Sequence, residues 1–176
     1  MLNQSNCNLL IIDIQEKLLN ASFNKEIVEK KSIILKKASE ILNIPVIVTE
    51  QYPQGLGESI GDLKINAKTF IKKDFNALND ESLLSELKKE NRNQIIIFGI
   101  ETHICVYQTV SALLKQGFDV NVVSDACGSR SEIEYRAGLE YMKTIGAKIK
   151  TTEMTIFELL KSANHPNFKE IQKLIK

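Results

Sequence analysis

Three residue types that can do covalent chemistry follow short apolar runs of this sequence: an acid, a lysine and a cysteine. Asp13 closes "NLLIID", Lys72 ends "TFIK", and Cys105 comes shortly after "QIIIFG". A cysteine attacks a carbonyl as its thiolate, so an ordinary thiol needs a base, a nearby cation or a helix N-terminus to become reactive. A carboxylate can take the thiol proton and an ammonium can offset the charge, so the combination favours nucleophilic catalysis.

Each of the three residues also has a plain structural interpretation. An Asp after a strand is a common turn or cap residue, and a lone cysteine usually behaves as a small buried hydrophobe. Lys72 lies beside Lys73 and is compatible with a solvated pair. The residues become one site only if their strands end at the same edge of a sheet.

The elements that would position them alternate along the chain. β-branched runs predict strands at 8–13, 45–50, 68–73, 94–99, 119–124 and 147–152, and helical periodicity marks 25–42, 80–91, 104–117 and 131–145. This alternation predicts an α/β fold of one domain, residues 1–176, as a three-layer α/β/α sandwich with a central, mostly parallel sheet of about six strands. Ligands of such sheets bind beyond the carboxyl ends of the strands, where all three candidates would lie.

Two further segments stand outside the alternation. Residues 50–66 carry Gly55, Gly57, Gly61 and Pro53 without a clear period, which predicts a long loop that could cover the site. The C-terminal stretch places Phe168, Ile171, Leu174 and Ile175 on one helical face, so we expect a helix packed on the body or on a partner subunit.

The composition argues against several classes of partner. The net charge of +1 gives no electrostatic case for binding nucleic acid or an anionic membrane, so we expect a small-molecule substrate and further copies of the chain. The longest apolar runs are far shorter than the roughly 20 residues of a membrane span, and the first residues lack a secretory layout. Three widely spaced cysteines suit a reducing, cytoplasmic location.

The motif "GIETHICVYQT" resembles the signature of the isochorismatase-like cysteine hydrolases. "NLLIIDIQ", "IKKDFNA" and "VVSDACGSR" are similar to other segments of that family, and "VTEQYPQGLG" is most similar to its compact branch, the isochorismatase-domain-containing and YcaC-like proteins. The resemblance implies the Rossmann-like fold of these hydrolases and a triad of Asp13, Lys72 and Cys105. Phe75 selects Lys72 within the lysine motif, although Asn76 replaces the usual Ser and keeps Lys73 open.

The resemblance also implies an oxyanion hole made by the backbone amides of Glu101 and Cys105, with a cis peptide between Ile100 and Glu101. We expect the helix that begins just before Cys105 to favour the thiolate through its positive dipole end. Further pocket residues are expected around these groups: Gln15, Gln51, Tyr52, Phe75, Thr102 and His103.

Cofactors are not expected. Metal-binding relatives use an Asp and two His near the second strand, whereas the only histidines here are His103 and His165, so we expect no metal. "GLGESIG" has the wrong glycine spacing for a dinucleotide fingerprint. Cys7 and Cys127 are interpreted as structural, and Ser129 and Arg130 as residues of a pocket or an oligomer contact.

The leading hypothesis is a metal-independent cysteine hydrolase that cleaves a small amide-like substrate through a thioester on Cys105. Asp13 would accept the thiol proton, return it to the leaving group and then activate water. Two alternatives stay open: a non-catalytic or redox-responsive oligomer that keeps the fold, and vinyl-ether hydrolysis of the isochorismatase type.

Overall fold

A single parallel sheet organises the molecule. The computed structural model describes residues 1–61, 63–89 and 91–176. Six strands pair in the order β3-β2-β1-β4-β5-β6, and every neighbouring pair is parallel. The strands are β1 Cys7–Ile12, β2 Val46–Gln51, β3 Lys68–Lys72, β4 Gln94–Gly99, β5 Asp119–Val123 and β6 Lys148–Lys150. All six predicted strands are present, with ends within two residues of the expected ones.

Eight α-helices lie in the described residues. They are α1 Glu16–Asn20, α2 Lys25–Ile41, α3 Pro53–Leu56, α4 Glu81–Lys88, α5 Tyr107–Lys115, α6 Glu132–Thr144, α7 Thr152–Leu160 and α8 Phe168–Ile175. Helix α2 packs with α7 and α8, whereas α5 packs with α6. The predicted α/β/α sandwich is confirmed, and each predicted helical segment contains a helix, although Glu90 of the 80–91 segment lies outside the described residues.

The two central strands are buried along their whole length and mostly apolar, because helices cover both faces of the sheet. Every residue of β1 and of β4 is buried. Buried parallel strands need no alternation of polar and apolar residues, which is why "CNLLII" and "QIIIFG" read as continuous runs. The result is a rigid centre from which the strand ends project.

The chain adds β2 and β3 on one side of β1, and β4, β5 and β6 on the other, so the direction of the strand order changes between β1 and β4. At this point the ends of the two strands are in direct contact. The N–H of Ile100 donates to the carbonyl of Ile12 at 2.9 Å. Gly99 has φ +147°, and a Cβ on it would lie 2.0 Å from the Ile12 carbonyl oxygen. Only glycine therefore fits at this position, which brings the segment after β4 beside Asp13.

The 50–66 segment is more structured than a plain loop. It starts in β2 and includes α3, and Ser59 forms an antiparallel bridge with Gln15. The buried Glu50 carboxylate accepts from the N–H of Ser59 at 2.8 Å and holds this segment to the end of β2. Asp62 lies outside the described residues.

The C-terminal helix packs on the body. Ile171 of α8 is fully buried, and the other three apolar residues of its predicted face contact the core, where α8 meets α2. The expected amphipathic helix is therefore present and covers α2.

The three cysteines are free and buried. No helix in the described parts of the chain has the length and apolar character needed to cross a bilayer. The cytoplasmic location stays a prediction.

Candidate active site

Asp13 lies immediately after β1 and is completely buried. Its backbone is left-handed, with φ +49°, and its N–H donates to the carbonyl of Thr49 at 3.2 Å. The Thr49 hydroxyl donates to Asp13 Oδ1 at 2.6 Å. Asp13 Oδ2 lies 2.6 Å from Lys72 Nζ, yet no donor in the described residues is aligned to it as a hydrogen bond. One lone pair of a buried carboxylate thus stays available to accept a proton.

Lys72 ends β3 and points its ammonium at Asp13. Its side chain is 4% exposed, and Nζ donates to Gln51 Oε1 at 2.6 Å and to the carbonyl of Asp74 at 3.1 Å. With the carbonyl of Phe75 at 3.5 Å, three acceptors other than Asp13 therefore face the three donors of this buried ammonium. Lys73 is exposed, so alternation along the strand end turns only Lys72 towards Asp13.

Cys105 lies in a short π-helical turn, Thr102–Val106, between β4 and α5. The Glu101 carbonyl accepts from the N–H of Val106 at 3.2 Å, five residues ahead, and the Ile100–Glu101 peptide is cis. Gly138 of α6 lets that helix lie against this turn, since a Cβ there would come within 3.1 Å of His103 backbone atoms. The position of the thiol is therefore set by the end of β4 and by α6.

The Cys105 thiol is near both charged groups but is not a resting thiolate. Burial and the Asp13 charge raise its pKa to about 12, and Lys72 lowers it only in part. The pKa of Cys105 is therefore raised, and not lowered as a helix N-terminus would favour, because the residue is only 5% exposed and lies beside a carboxylate. A base must remove the proton when the substrate is bound.

Of the two amides expected to form an oxyanion hole, that of Glu101 precedes this turn and that of Cys105 lies within it. The Glu101 N–H has no acceptor among the described residues, and the Cys105 N–H makes no hydrogen bond outside its own turn. Fixed backbone donors of this kind suit an oxygen that becomes negative during attack by the thiol.

Two of the expected pocket residues support the backbone instead. Gln15 has no exposed surface, and its side-chain amide bonds the backbone of Gln51 and the carbonyl of Gly57. Thr102 is also fully buried, and its hydroxyl donates to the carbonyl of Gly128 at 2.8 Å. Neither side chain has a free polar group with which to contact a substrate.

The apolar candidates lie at the surface beside Lys72. Tyr52 and Phe75 are 52% and 54% exposed, and Ile71, which sequence reasoning did not single out, is 61% exposed. The N–H of Tyr52 donates to the Lys72 carbonyl at 3.0 Å, so the backbone of Tyr52 is tied to the end of β3, the strand that also carries Ile71. We call Tyr52, Ile71 and Phe75 the apolar rim.

His103 faces a different part of the surface. Its Nδ1 lies 3.1 Å from Ser129 Oγ, and its ring lines a cavity of about 300 Å³ between α5 and α6 with Tyr107, Glu134 and Tyr141. In the described residues no three His, Cys, Asp or Glu side chains are grouped to hold a metal ion. Arg130 is exposed and donates to the Glu101 carboxylate at 2.8 Å.

Sequence reasoning overlooked Thr49. The signal was present, since a threonine interrupts the apolar run "PVIV" just before the end of β2. What the sequence alone does not reveal is that β2 lies between β1 and β3, so that this hydroxyl reaches Asp13.

Comparison with known proteins agrees with the fold and with the motifs. The isochorismatase domain matches residues 7–154. Isochorismatase domain-containing protein 2 of Danio rerio is 40% identical over 95% of this chain and 85% of its own.

Solved structures give the same result. The MAR1 ribonuclease of Caenorhabditis elegans superposes with a TM-score of 0.92 at 38% identity, over 99% of this chain and 91% of its own. YcaC of Escherichia coli, described as an octameric hydrolase of unknown specificity, has the same fold at a TM-score of 0.89 and 24% identity, over 99% and 94% of the two chains. On the match to the domain and to the 40% identical relative, this chain belongs to the isochorismatase family.

Proposed function

We propose that this protein is a metal-independent cysteine hydrolase for a small amide-like substrate, with Asp13, Lys72 and Cys105 as its catalytic residues. The observation that carries the proposal is a thiol beside a fully buried Asp–Lys pair whose Oδ2 lacks an aligned donor. Such a pair is costly to bury, and its position at the switch point of the sheet suits a catalytic site.

The first half of the reaction makes the thioester. Asp13 Oδ2 takes the Cys105 proton while Sγ attacks the substrate carbonyl carbon. The carbonyl oxygen becomes an anion that accepts hydrogen bonds from the amides of Glu101 and Cys105. When the intermediate collapses, the C–N bond breaks and the proton on Asp13 passes to the leaving nitrogen.

The second half restores the enzyme. Water attacks the thioester carbon and gives its proton to Asp13, and the oxygen again becomes an anion at the same two amides. Collapse breaks the C–S bond, the carboxylic acid leaves, and Asp13 returns the proton to Sγ. Lys72 keeps its charge throughout and holds the carboxylate in place.

The raised pKa of Cys105 favours this general-base mechanism over a redox-responsive protein. Oxidation of a cysteine follows its thiolate character and its exposure, and a buried thiol with a pKa of about 12 has little of either. In this mechanism the thiol loses its proton only while Sγ attacks the substrate carbonyl. Catalysis therefore does not need Cys105 to be a thiolate before the substrate binds.

The test combines turnover with covalent trapping. A panel of small aliphatic and aromatic amides is assayed for ammonia release, and Cys105 is followed by mass spectrometry after treatment with iodoacetamide. We expect hydrolysis of at least one amide, abolished in Cys105→Ala, and an adduct on Cys105. An isochorismate assay separates vinyl-ether cleavage, and full turnover by Cys105→Ala would contradict the mechanism.

Ribonuclease activity is a second candidate, because the 38% identical relative from C. elegans is described as a ribonuclease. Against it, the chain carries a net charge of +1 and Cys105 is only 5% exposed, which gives little attraction or access for a polyanion. Incubation with labelled single-stranded RNA tests this candidate. Cleavage that is lost in Cys105→Ala would show that the substrate is a phosphodiester and not an amide.

Self-association is part of the proposal, as the related E. coli protein is octameric. The apolar rim gives such contacts an exposed surface, since Ile71 lies on the edge strand β3. Light scattering should give a mass at least twice the 19.9 kDa of one chain. A monomer at micromolar concentration would contradict it.

A further inference from the structure

Thr49 lies between the two charged residues of the site. It belongs to β2, the strand between β1 and β3, and has no exposed surface. Its hydroxyl donates to Asp13 Oδ1 at 2.6 Å, and its carbonyl accepts from the N–H of Asp13 at 3.2 Å. One residue thus holds both the backbone and the carboxylate of Asp13.

An aspartate does not hold its carboxylate plane by itself. The terminal torsion of Asp is broad, so the orientation of its two oxygens depends on their partners. The hydroxyl of Thr49 donates a hydrogen bond to Oδ1, so Oδ2 is the oxygen that faces Lys72 Nζ, 2.6 Å away. No donor in the described residues is aligned with Oδ2 as a hydrogen bond. Oδ2 is the oxygen that the proposed mechanism uses as the base.

We propose that Thr49 is a positioning residue that aims Asp13 Oδ2 at the Cys105 thiol. The inference rests on the proposed role of Asp13 as the base. Valine fills the same volume without a donor, so Thr49→Val would leave Oδ1 buried without its hydrogen bond. The carboxylate would then turn so that its oxygens share the ammonium, and the proton acceptor would leave the thiol.

The test measures the rate of Cys105 alkylation by iodoacetamide between pH 6 and pH 10, by mass spectrometry of the full-length protein. Thr49→Val should react roughly tenfold more slowly than wild type near pH 7, since hydrogen bonds to charged groups are worth about that factor. Its rate should rise steeply with pH, as for an unassisted thiol, whereas the wild-type rate should change less. Thr49→Ser should recover the wild-type profile, because serine restores the donor.

The matched control removes the same kind of hydrogen bond elsewhere. Thr152 is also fully buried, and its hydroxyl donates to Asp125 Oδ1 at 2.9 Å, beyond the end of β5. Thr152→Val should leave alkylation within roughly twofold of wild type, the range of ordinary neutral substitutions. If Thr49→Val fails to fold, Thr49→Ala takes its place beside Thr49→Ser, because those two differ only by the hydroxyl.

Two outcomes would overturn the inference, and they are distinguishable from failure of the proposed function. Thr49→Val with a wild-type rate and pH profile, while Asp13→Asn is slow, would show that Thr49 has no positioning role. Equal slowing by Thr49→Val and Thr49→Ser would assign Thr49 a packing role instead. If Asp13→Asn also reacts at the wild-type rate, the proposed base itself is wrong.

Discussion

Cys105 and Cys127 are two buried cysteines with the same raised pKa and different surroundings. Burial is the largest cause at both sites and raises each pKa to about 12. Cys105 has Asp13 and Lys72 beside its thiol, whereas the next influence on Cys127 is a backbone hydrogen bond from Gly99. The resting pKa therefore does not distinguish the proposed nucleophile from the other thiol, and the difference between them lies in the neighbouring carboxylate and ammonium.

The largest expected effect is a difference in reactivity between the two thiols. Near pH 8, iodoacetamide should modify Cys105 roughly 10²- to 10⁴-fold faster than Cys127 in the native protein, the range that general bases contribute. Peptide mapping after timed quenching measures both sites in one sample. Asp13→Asn serves as the control for access: if Cys105 keeps its advantage there, exposure and not the base explains the difference.

A second experiment removes the Lys72 ammonium, which lies beside Cys105 and has no counterpart beside Cys127. Lys72→Met leaves the Asp13 carboxylate buried without a counter-charge, so the free energy of unfolding should fall by about 3–5 kcal/mol. Lys73→Met, one residue along and exposed, should change it by less than about 0.5 kcal/mol. Urea denaturation measures both variants. A small loss in Lys72→Met would contradict the expectation that it leaves an uncompensated charge buried at Asp13.

The raised pKa values of the two thiols should also lower the free energy of unfolding at alkaline pH. A cysteine whose ordinary pKa of 9.0 is raised to about 12 in the native state keeps its proton after the unfolded chain has lost it. The contribution of this raised pKa to the free energy of unfolding is fully present below pH 9 and declines from pH 9 to pH 12. At pH 10.5 the loss is about 2 kcal/mol per thiol.

Cys127→Ala tests this decline. Its free energy of unfolding should fall less between pH 8 and pH 10.5 than that of wild type, and Cys105→Ala should behave similarly. Unchanged slopes in both variants would contradict the raised pKa values.

The smallest effect is expected at Arg130, which is exposed, follows Cys127 by three residues and contacts Glu101. Its ion pair with Glu101 should contribute about 0–1 kcal/mol, as surface pairs do. Arg130→Ala should therefore leave the alkylation rate of Cys105 nearly unchanged. A large loss of alkylation would give Arg130 a part in the site that its exposure does not suggest.

The element pattern was predictable because it depends on local periodicity. Buried strands such as "QIIIFG" and helices such as 25–41 follow from residue spacing alone, and parallel pairing follows from their alternation. The segment 50–66 was harder, because the contacts that order it, Glu50 with Ser59 and Gln15 with Gly57, join residues 9 and 42 positions apart and follow no helical or strand period.

The site was partly predictable. The sequence marked Asp13, Lys72 and Cys105 through their positions after strands and through the resemblance to a family, but their catalytic roles stay a prediction. It also suggested Gln15 and Thr102 as pocket residues, and the structure shows their polar groups bonded to backbone. Side chains near a site serve either the substrate or the scaffold, and only their partners distinguish these roles.

By itself, the sequence determined the strands, the helices and the residue types available at the strand ends. The tertiary structure decided the strand order, which places Thr49 of β2 against Asp13 and turns Lys72, and not Lys73, inward. It also decided the protonation state of Cys105, because burial and nearby charge act through space and not along the chain. Local periodicity carries no information about either.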